Sequence, residues 1–152
     1  IIPDYFLFIG KGELLKWPLF KIFFKYMDIP IERENFRRAM GAMQKAYDAL
    51  GRGENVAIYP EGTVPLSSPK MANFKNGAFK MAIDTQLPIV PITWQTNYRI
   101  LCDPTRLFSV SRPSVVRVVV HEAIITEGMK DEDLVDLRER VFLTIDSALG
   151  KH

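Results

Sequence analysis

Short apolar runs and longer amphipathic segments alternate along this chain, and the two patterns predict different secondary structures. The short runs are rich in β-branched and aromatic residues, which is typical of strands buried in a sheet. They predict strands at Tyr5–Ile9, Ile29–Glu32, Val56–Tyr59, Ile89–Trp94 and Val115–His121. The fourth run is almost continuously apolar, which favours a strand that is covered on both faces.

The longer segments carry apolar residues every three or four positions, which is the spacing of a helix with one buried face. The clearest is Phe36–Leu50, which Asn35 can cap at its start and Gly51 or Gly53 at its end. Two more helices are predicted, from about Asn76 to Thr85 and from about Asp131 to Leu149. The faces that we expect to be buried carry Phe36, Met40, Met43, Tyr47 and Leu50 in the first of these helices, and Leu134, Leu137, Val141, Ile145 and Leu149 in the last.

The alternation of strands and helices also indicates the fold class. Strands separated by helices of this length are typical of βαβ units, in which the sheet is largely parallel. The sequence therefore predicts an α/β fold, with a mostly parallel or mixed sheet flanked by helices. Its 152 residues suffice for one hydrophobic core, and no repeat, linker or low-complexity segment divides them. We expect residues 1–152 to form a single domain, or most of one.

Composition and charge argue against several classes of function. Twenty basic and eighteen acidic residues give a formal net charge of +2, far from the basic excess of a nucleic-acid-binding domain. The only cysteine, Cys102, cannot form an internal disulfide, and two histidines make no metal-binding cluster. No apolar run reaches the roughly 18 to 20 residues that span a bilayer, since lysines interrupt the richest one. We therefore expect no nucleic acid as a partner and no metal.

The candidate chemistry lies in the turn that follows the strand Val56–Tyr59. Glu61, Gly62 and Thr63 come directly after Pro60, so a carboxylate, a permissive glycine and a hydroxyl share one loop at the end of a strand. Backbone N–H groups around such a glycine can hold phosphate oxygens, and open α/β sheets bind ligands at this edge. Taken alone, the tripeptide favours a tight turn with a capping threonine, and the longer sequence Tyr-Pro-Glu-Gly-Thr after an apolar strand is much more specific.

Two further blocks follow this turn, FKNGAF at residues 74–79 and LPIVPI at residues 87–92. Together with the Tyr-Pro-Glu-Gly-Thr turn, their order and spacing resemble those of the 1-acyl-sn-glycerol-3-phosphate acyltransferases, a family of glycerolipid acyltransferases. The resemblance extends over nearly the whole chain. It implies the fold of that family, and an enzyme that moves an acyl group from acyl-CoA or acyl carrier protein to lysophosphatidic acid. The product would be phosphatidic acid, in phospholipid biosynthesis, and the resemblance implies no bound redox cofactor.

The resemblance also assigns substrate-binding residues. Lys11 lies in a segment similar to a lysine-containing block of the family, and Arg33 lies where the family places an arginine that contacts the acceptor phosphate. An arginine suits a phosphate because it offers planar, bidentate and permanently charged donors. Glu61, Gly62 and Thr63 form the loop that, by the same resemblance, positions the acceptor.

One position inside this turn departs from the family pattern. The family commonly continues the turn with an arginine, whereas this chain has Val64. One expected positive contact to the acceptor phosphate is therefore absent. Lys70 and Lys75 follow within the next eleven residues, and we take them as candidate replacements.

The catalytic residues of the family have no counterpart in this sequence. The family uses an H-x-x-x-x-D motif, in which histidine is the general base and aspartate orients the imidazole. His121 is followed five residues later by Thr126, and His152 is the last residue, so neither fits the motif. In the family the motif lies just before the segment that corresponds to Ile1–Gly10. We therefore expect the dyad upstream of Ile1, in an N-terminal part that is missing, and we expect the chain as given to be inactive.

A predicted helix from near Trp17 to Met27 bears on where the protein works. Its apolar arc is wider than a core-facing helix needs, and Lys21 and Lys25 form a narrow basic stripe. Such a helix suits the interface of an anionic membrane or a groove for an acyl chain. Another protein segment covering the excess apolar surface would explain it equally well. The first interpretation predicts a peripheral enzyme at the cytoplasmic face of the cell membrane.

Two functions of other classes remain open from the sequence. One is a catalytically dead module that binds a lipid or a phosphate and keeps the same fold. It predicts a full-length protein without the H-x-x-x-x-D motif that still binds its ligand. The other is a structural fragment whose exposed apolar surface leads to self-association, which predicts oligomers and no binding of lysophosphatidic acid.

Overall fold

The computed structural model describes residues 5–11, 28–31, 36–63, 70–97 and 115–149. The chain divides into two compact units, Ile1–Tyr59 and Pro60–His152. No change of composition marks this division in the sequence, and the single domain stays a prediction.

The first unit contains a three-stranded parallel sheet. Its strands are β1 (Phe6–Lys11), β2 (Asp28–Ile31) and β3 (Asn55–Ala57), in the order β2–β1–β3. Ile9 of β1 lies beside Ile29 of β2, and both side chains are buried. The parallel pairing confirms the α/β class that the alternation of strands and helices predicts.

The helix α1 (Phe36–Gly51) packs against β2 and β3. Its bounds agree with the prediction, but the predicted buried face is wrong. Ala42, Ala46 and Ala49 are buried, whereas Met40 on the predicted face is 55% exposed. The predicted face and the face that is actually buried lie about a third of a turn apart around the helix axis. Because alanine side chains are short, the helix backbone can approach the sheet closely, and the larger side chains of the predicted face fall to the edge of the contact.

The end of α1 is a Schellman motif that depends on Gly53. The Glu54 N–H donates to the Ala49 carbonyl at 3.0 Å, and the Gly53 N–H donates to the Leu50 carbonyl at 2.9 Å. Gly53 has a φ of +79°, in the left-handed region where side chains with a Cβ are strained. Of the two glycines predicted to end the helix, Gly53 is therefore the one that makes the cap.

We expect Gly53→Ala to lower the free energy of unfolding by about 1 kcal/mol, because alanine must adopt this left-handed conformation. Lack of space is not the cause, since nothing lies within 4 Å of a Cβ added at Gly53 or Gly51. Gly51 ends the helix without a positive φ, so Gly51→Ala should be neutral or stabilising by up to about 1 kcal/mol. Thermal unfolding of both variants measures the difference. An equal loss of stability in both would contradict the explanation.

The second unit contains two helices and an antiparallel pair of strands. These elements are α2 (Gly77–Thr85), β4 (Ile92–Trp94), β5 (Val118–Val120) and α3 (Leu134–Ala148). A 3-10 helix, Asp131–Asp133, leads into α3. The described strands thus form two small sheets, one parallel and one antiparallel. With the helices they give the predicted α/β class.

β4 is not covered on both faces, so that prediction is wrong. Thr93 is fully buried, whereas Val90 and Trp94 are 45% and 41% exposed. The buried hydroxyl of Thr93 is satisfied by the Ile145 carbonyl at 3.3 Å and by His121 Nε2 at 2.8 Å. A threonine can therefore face inward from this strand, and the apolar residues beside it face outward.

β5 is shorter than the predicted strand, which spans Val115–His121. At its start, one backbone bond continues the pairing, from the Gln95 N–H to the Arg117 carbonyl at 2.9 Å, and beyond it the Thr96 side chain takes the place of backbone pairing. Its hydroxyl donates to the Val115 carbonyl at 2.8 Å and accepts from the Arg117 N–H at 2.9 Å. The chain still runs beside the residues that follow β4, but it makes no regular ladder there.

The core of the second unit forms where α2 meets α3. Leu137 and Val141 of α3 are buried, which confirms the predicted apolar stripe of this helix. Phe74 and Phe79 are buried against Leu137 and Val141. Both phenylalanines belong to the FKNGAF block, one of the blocks on which the resemblance to the acyltransferases rests. The block that carries candidate chemistry is thus anchored in the core.

Candidate functional site

The Pro60–Gly62 turn is bonded to the segment that precedes α2. Glu61 Oε2 accepts a hydrogen bond from the Ala72 N–H at 2.7 Å, and the Pro60 carbonyl accepts one from the Lys75 N–H at 2.8 Å. Glu61 is half-buried, so its carboxylate acts as an internal cap for a loop amide. Two of the sequence blocks that predict the site therefore lie in direct contact.

The closest approach in this contact is between Gly62 and the side chain of Lys75. Gly62 has a φ of +66°. A Cβ added there would lie 3.0 Å from Lys75 Cδ, 3.0 Å from Cε and 3.2 Å from Nζ. Gly62 is thus favoured twice: its left-handed backbone strains any residue with a Cβ, and a Cβ would push the flexible Lys75 side chain aside. The exposed Lys75 side chain lies across the turn, with its ammonium group beside the glycine.

The backbone that carries Lys75 is fixed on both sides. Phe74 stacks on Phe79 with ring centroids 6.2 Å apart and meets Phe142 of α3 edge-on at 5.0 Å. On the other side, Asn76 Oδ1 accepts a hydrogen bond from Arg138 Nη1 at 2.6 Å. Lys75 is therefore a flexible, charged side chain on a rigid stretch of backbone.

The electrostatic setting favours an anion at this end of α2. The first turn of α2 contains no acidic residue, and the N-terminal end of a helix carries partial positive charge. Lys80, one turn further on, is already committed to carboxylates. Its ammonium donates to Asp131 at 2.8 Å and also to Asp84, and these bonds raise the pKa of Lys80 above its usual value. Lys75 makes no such ion pair within the described residues.

The structure brings Glu61, Gly62 and Lys75 together. Thr63 follows directly in the chain and is exposed, and Lys70 is exposed at the start of the segment that leads to Ala72. An ammonium, a glycine turn and an exposed hydroxyl can together hold the oxygens of a phosphate group. The individual roles of these residues stay predictions.

Other predicted site residues are not placed by the structure. Lys11 is the last residue of β1, in the first unit, and its side chain is not described. Arg33 and Val64 lie outside the described residues, as do His152 and the segment from Trp17 to Met27. Among the helices that the structure describes, none is long and apolar enough to cross a bilayer.

His121 has a structural position in the second unit. Its Nε2 lies 2.8 Å from the hydroxyl of the buried Thr93, and its own N–H donates to the Pro91 carbonyl at 3.0 Å. This agrees with the interpretation of His121 as an ordinary residue at the end of a strand. In the described part of the chain, no three His, Cys, Asp or Glu side chains are grouped to hold a metal ion.

Sequence reasoning missed the contact between Asn76 and Arg138. The two residues are 62 positions apart, and Arg138 lies on a helix whose sequence shows only an apolar stripe and a polar face. No local signal distinguishes Arg138 from the other charged residues of α3. Only the packing of α3 against α2 brings it to the candidate site.

Comparison with known proteins identifies the family that the chain resembles. A sequence model of the acyltransferase family matches residues 2–95. The 1-acyl-sn-glycerol-3-phosphate acyltransferase alpha of Ovis aries is 32% identical over 136 residues, which cover 89% of this chain and 44% of the relative. A 1-acyl-sn-glycerol-3-phosphate acyltransferase of Chlamydomonas reinhardtii is 36% identical over 96 residues, covering 63% of this chain and 28% of that protein.

A solved structure shares the fold. The crystal structure of the 1-acyl-sn-glycerophosphate (LPA) acyltransferase PlsC from Thermotoga maritima superposes with a TM-score of 0.74 at 25% sequence identity. The match covers 93% of this chain and 54% of that one. The chain thus spans about half, or less, of the length of these relatives.

Proposed function

Because this chain belongs to the acyltransferase family, we propose that the protein transfers an acyl group to lysophosphatidic acid and so makes phosphatidic acid. Two of the relatives that it matches are named for acyl transfer to 1-acyl-glycerol-3-phosphate. The observation that carries the proposal is the contact of Lys75 with Gly62, since it sets an exposed ammonium against a glycine turn. This is a suitable place for the acceptor phosphate.

Lys75 supplies the charge at this place that Val64 does not. A lysine ammonium binds phosphate as a point charge with three donors, and it needs no planar partner. Glu61 acts through the loop: its bond to the Ala72 N–H keeps the turn folded back on the segment of Lys75. We assign Thr63 and Lys70 to the acceptor site, as further contacts. From the resemblance to the family alone, Lys11 and Arg33 of the first unit are also proposed as substrate-binding residues.

In this proposal Lys75 and the glycine turn bind the acceptor, and other residues carry out the reaction. A histidine of an H-x-x-x-x-D motif, outside residues 1–152, takes the proton of the acceptor hydroxyl. The hydroxyl oxygen then attacks the thioester carbonyl of acyl-CoA or acyl carrier protein, an ester forms, and the thiol leaves with a proton. His121 is not this base, because Thr93 engages its Nε2 in the interior of the second unit. Residues 1–152 by themselves are therefore inactive.

The acceptor is a lipid, so the enzyme works at a membrane surface. We place it peripherally at the cytoplasmic face of the cell membrane. The basic and apolar segment from Trp17 to Met27 supports this placement, since lysines beside aromatic residues suit an anionic interface.

Lys75→Ala in the full-length protein tests the acceptor site. We expect the acceptor KM for lysophosphatidic acid to rise about 10-fold, which is the loss of one charge-assisted contact of roughly 1.4 kcal/mol. The donor KM should stay unchanged. Lys130→Ala is the matched control, because Lys130 is an exposed lysine of the second unit outside the described site.

Monoacylglycerol, which lacks the phosphate, provides a second control. If Lys75 binds the phosphate, Lys75→Ala leaves any acyl transfer to this acceptor unchanged. An unaltered KM for lysophosphatidic acid would contradict the assignment. Binding of lysophosphatidic acid without any turnover by the full-length protein would instead support a binding module.

A further inference from the structure

We propose that Arg138 is a positioning residue for the acceptor site, and that it acts through Asn76 on Lys75. The inference rests on the proposed function, since it concerns how the lysine of that site is held. Its basis is the 2.6 Å hydrogen bond from Arg138 Nη1 to Asn76 Oδ1, which joins α3 to the residue that follows Lys75.

The bond from Arg138 replaces a local cap that an asparagine at this position usually makes. Asparagine before a helix commonly accepts a bond from the second or third N–H of that helix. Asn76 precedes α2 in a helical conformation, with φ −68° and ψ −20°, and makes no such side-chain bond. Its oxygen faces Arg138 instead. The Asn76 side chain thus links the start of α2 to α3.

α3 holds the two neighbours of Lys75 at the same time. Phe74 meets Phe142 of α3 at 5.0 Å, and Asn76 meets Arg138, one turn earlier on the same helix. Residues four apart lie on one face of a helix, so both contacts come from one face of α3. Between them, the Lys75 N–H is bonded to the Pro60 carbonyl. The chain is therefore held at three successive residues, Phe74, Lys75 and Asn76.

A fixed backbone matters because a lysine side chain loses much rotamer freedom when it binds a ligand. If the segment between Phe74 and α2 moves, the ammonium no longer starts from its position beside Gly62. The ammonium then occupies a wider set of positions, and binding of the phosphate must restrict it to the one beside Gly62. The expected result is weaker acceptor binding, with little change in the chemical step.

The experiment measures acyl transfer by the full-length enzyme at varied lysophosphatidic acid. We expect Arg138→Ala and Asn76→Ala each to raise the acceptor KM about 3- to 10-fold, the range of one exposed charge-assisted bond. The kcat and the donor KM should change less than about 2-fold. Arg138→Lys, which keeps a charged donor, should restore part of the acceptor affinity. Arg140→Ala is the control on the same helix, because Arg140 is exposed and only its carbonyl takes part in a described bond, to Thr144.

The decisive measurement combines Arg138→Ala with Lys75→Ala. If Arg138 acts through Lys75, its removal changes the acceptor KM little once Lys75 is gone. A full additive effect would show that Arg138 acts independently of Lys75 and would overturn the positioning role. Should Arg138→Ala unfold, Asn76→Ala provides the same test, because Asn76 is exposed.

The outcomes also separate this inference from the proposed function. A raised acceptor KM in Lys75→Ala, with normal values in Arg138→Ala and Asn76→Ala, overturns only the role of Arg138. Normal values in all three variants overturn the acceptor site itself.

Discussion

Gly62→Ala should lower kcat/KM for lysophosphatidic acid about 100-fold in the full-length enzyme, mainly through the acceptor KM. Two effects combine. Alanine at a φ of +66° costs about 1 kcal/mol, and its Cβ would lie 3.0 Å from Lys75 Cδ and Cε. The lysine side chain can move aside, so the protein still folds, but the ammonium leaves its place. Displacement of the ammonium accounts for about 10-fold of this loss, as in Lys75→Ala, and distortion of the turn, whose backbone N–H groups hold the phosphate in the proposed site, accounts for about another 10-fold. Together the two factors correspond to about 2.7 kcal/mol of transition-state stabilisation.

Gly128→Ala is the matched control for Gly62→Ala. Gly128 has a φ of +81°, so alanine meets a similar backbone penalty there, but nothing lies within 4 Å of the added Cβ. Both variants should lose a similar amount of thermal stability, and only Gly62→Ala should lose acceptor affinity. Equal losses of activity would mean that backbone strain alone, without displacement of Lys75, explains the result.

The local elements of this fold are readable from the sequence because their signals are local. The bounds of α1 and α2 follow from apolar spacing and from end signals such as Gly53, which adopts the required left-handed conformation. The choice of buried face depends on the partner instead. α1 buries small alanines because a sheet lies close to it, and the spacing of its larger residues contains no such information.

The candidate site is likewise only partly predictable from the sequence. The sequence identifies the Glu-Gly-Thr turn and marks Lys75 as one of two candidate cations, since both blocks are contiguous motifs. It does not predict that the Lys75 side chain lies across Gly62, or that α3 holds Asn76 through Arg138. These contacts join residues that are far apart in the chain, and they depend on how the second unit packs.

Glu61→Ala should lower kcat/KM for the acceptor by about 100-fold or more, whereas Glu61→Gln should keep it within about 10-fold of the wild type. In the alanine variant the Ala72 N–H loses its bond to Glu61 Oε2, which costs about 1 to 3 kcal/mol for a half-buried donor. The turn is then free to separate from the segment that carries Lys75. A displacement of about 1 Å at a positioning group is enough for a loss of this size.

The comparison of glutamine with alanine decides how Glu61 acts. The glutamine side chain keeps an oxygen that can accept the Ala72 N–H at the same distance, although without the charge. If the role of Glu61 is to hold the loop, glutamine therefore replaces it and the acceptor KM recovers. If Glu61→Gln raises the acceptor KM as much as Glu61→Ala does, and both variants stay folded, the negative charge itself is required. Glu61 would then contact a substrate hydroxyl, and the loop bond to Ala72 would serve only to orient its carboxylate.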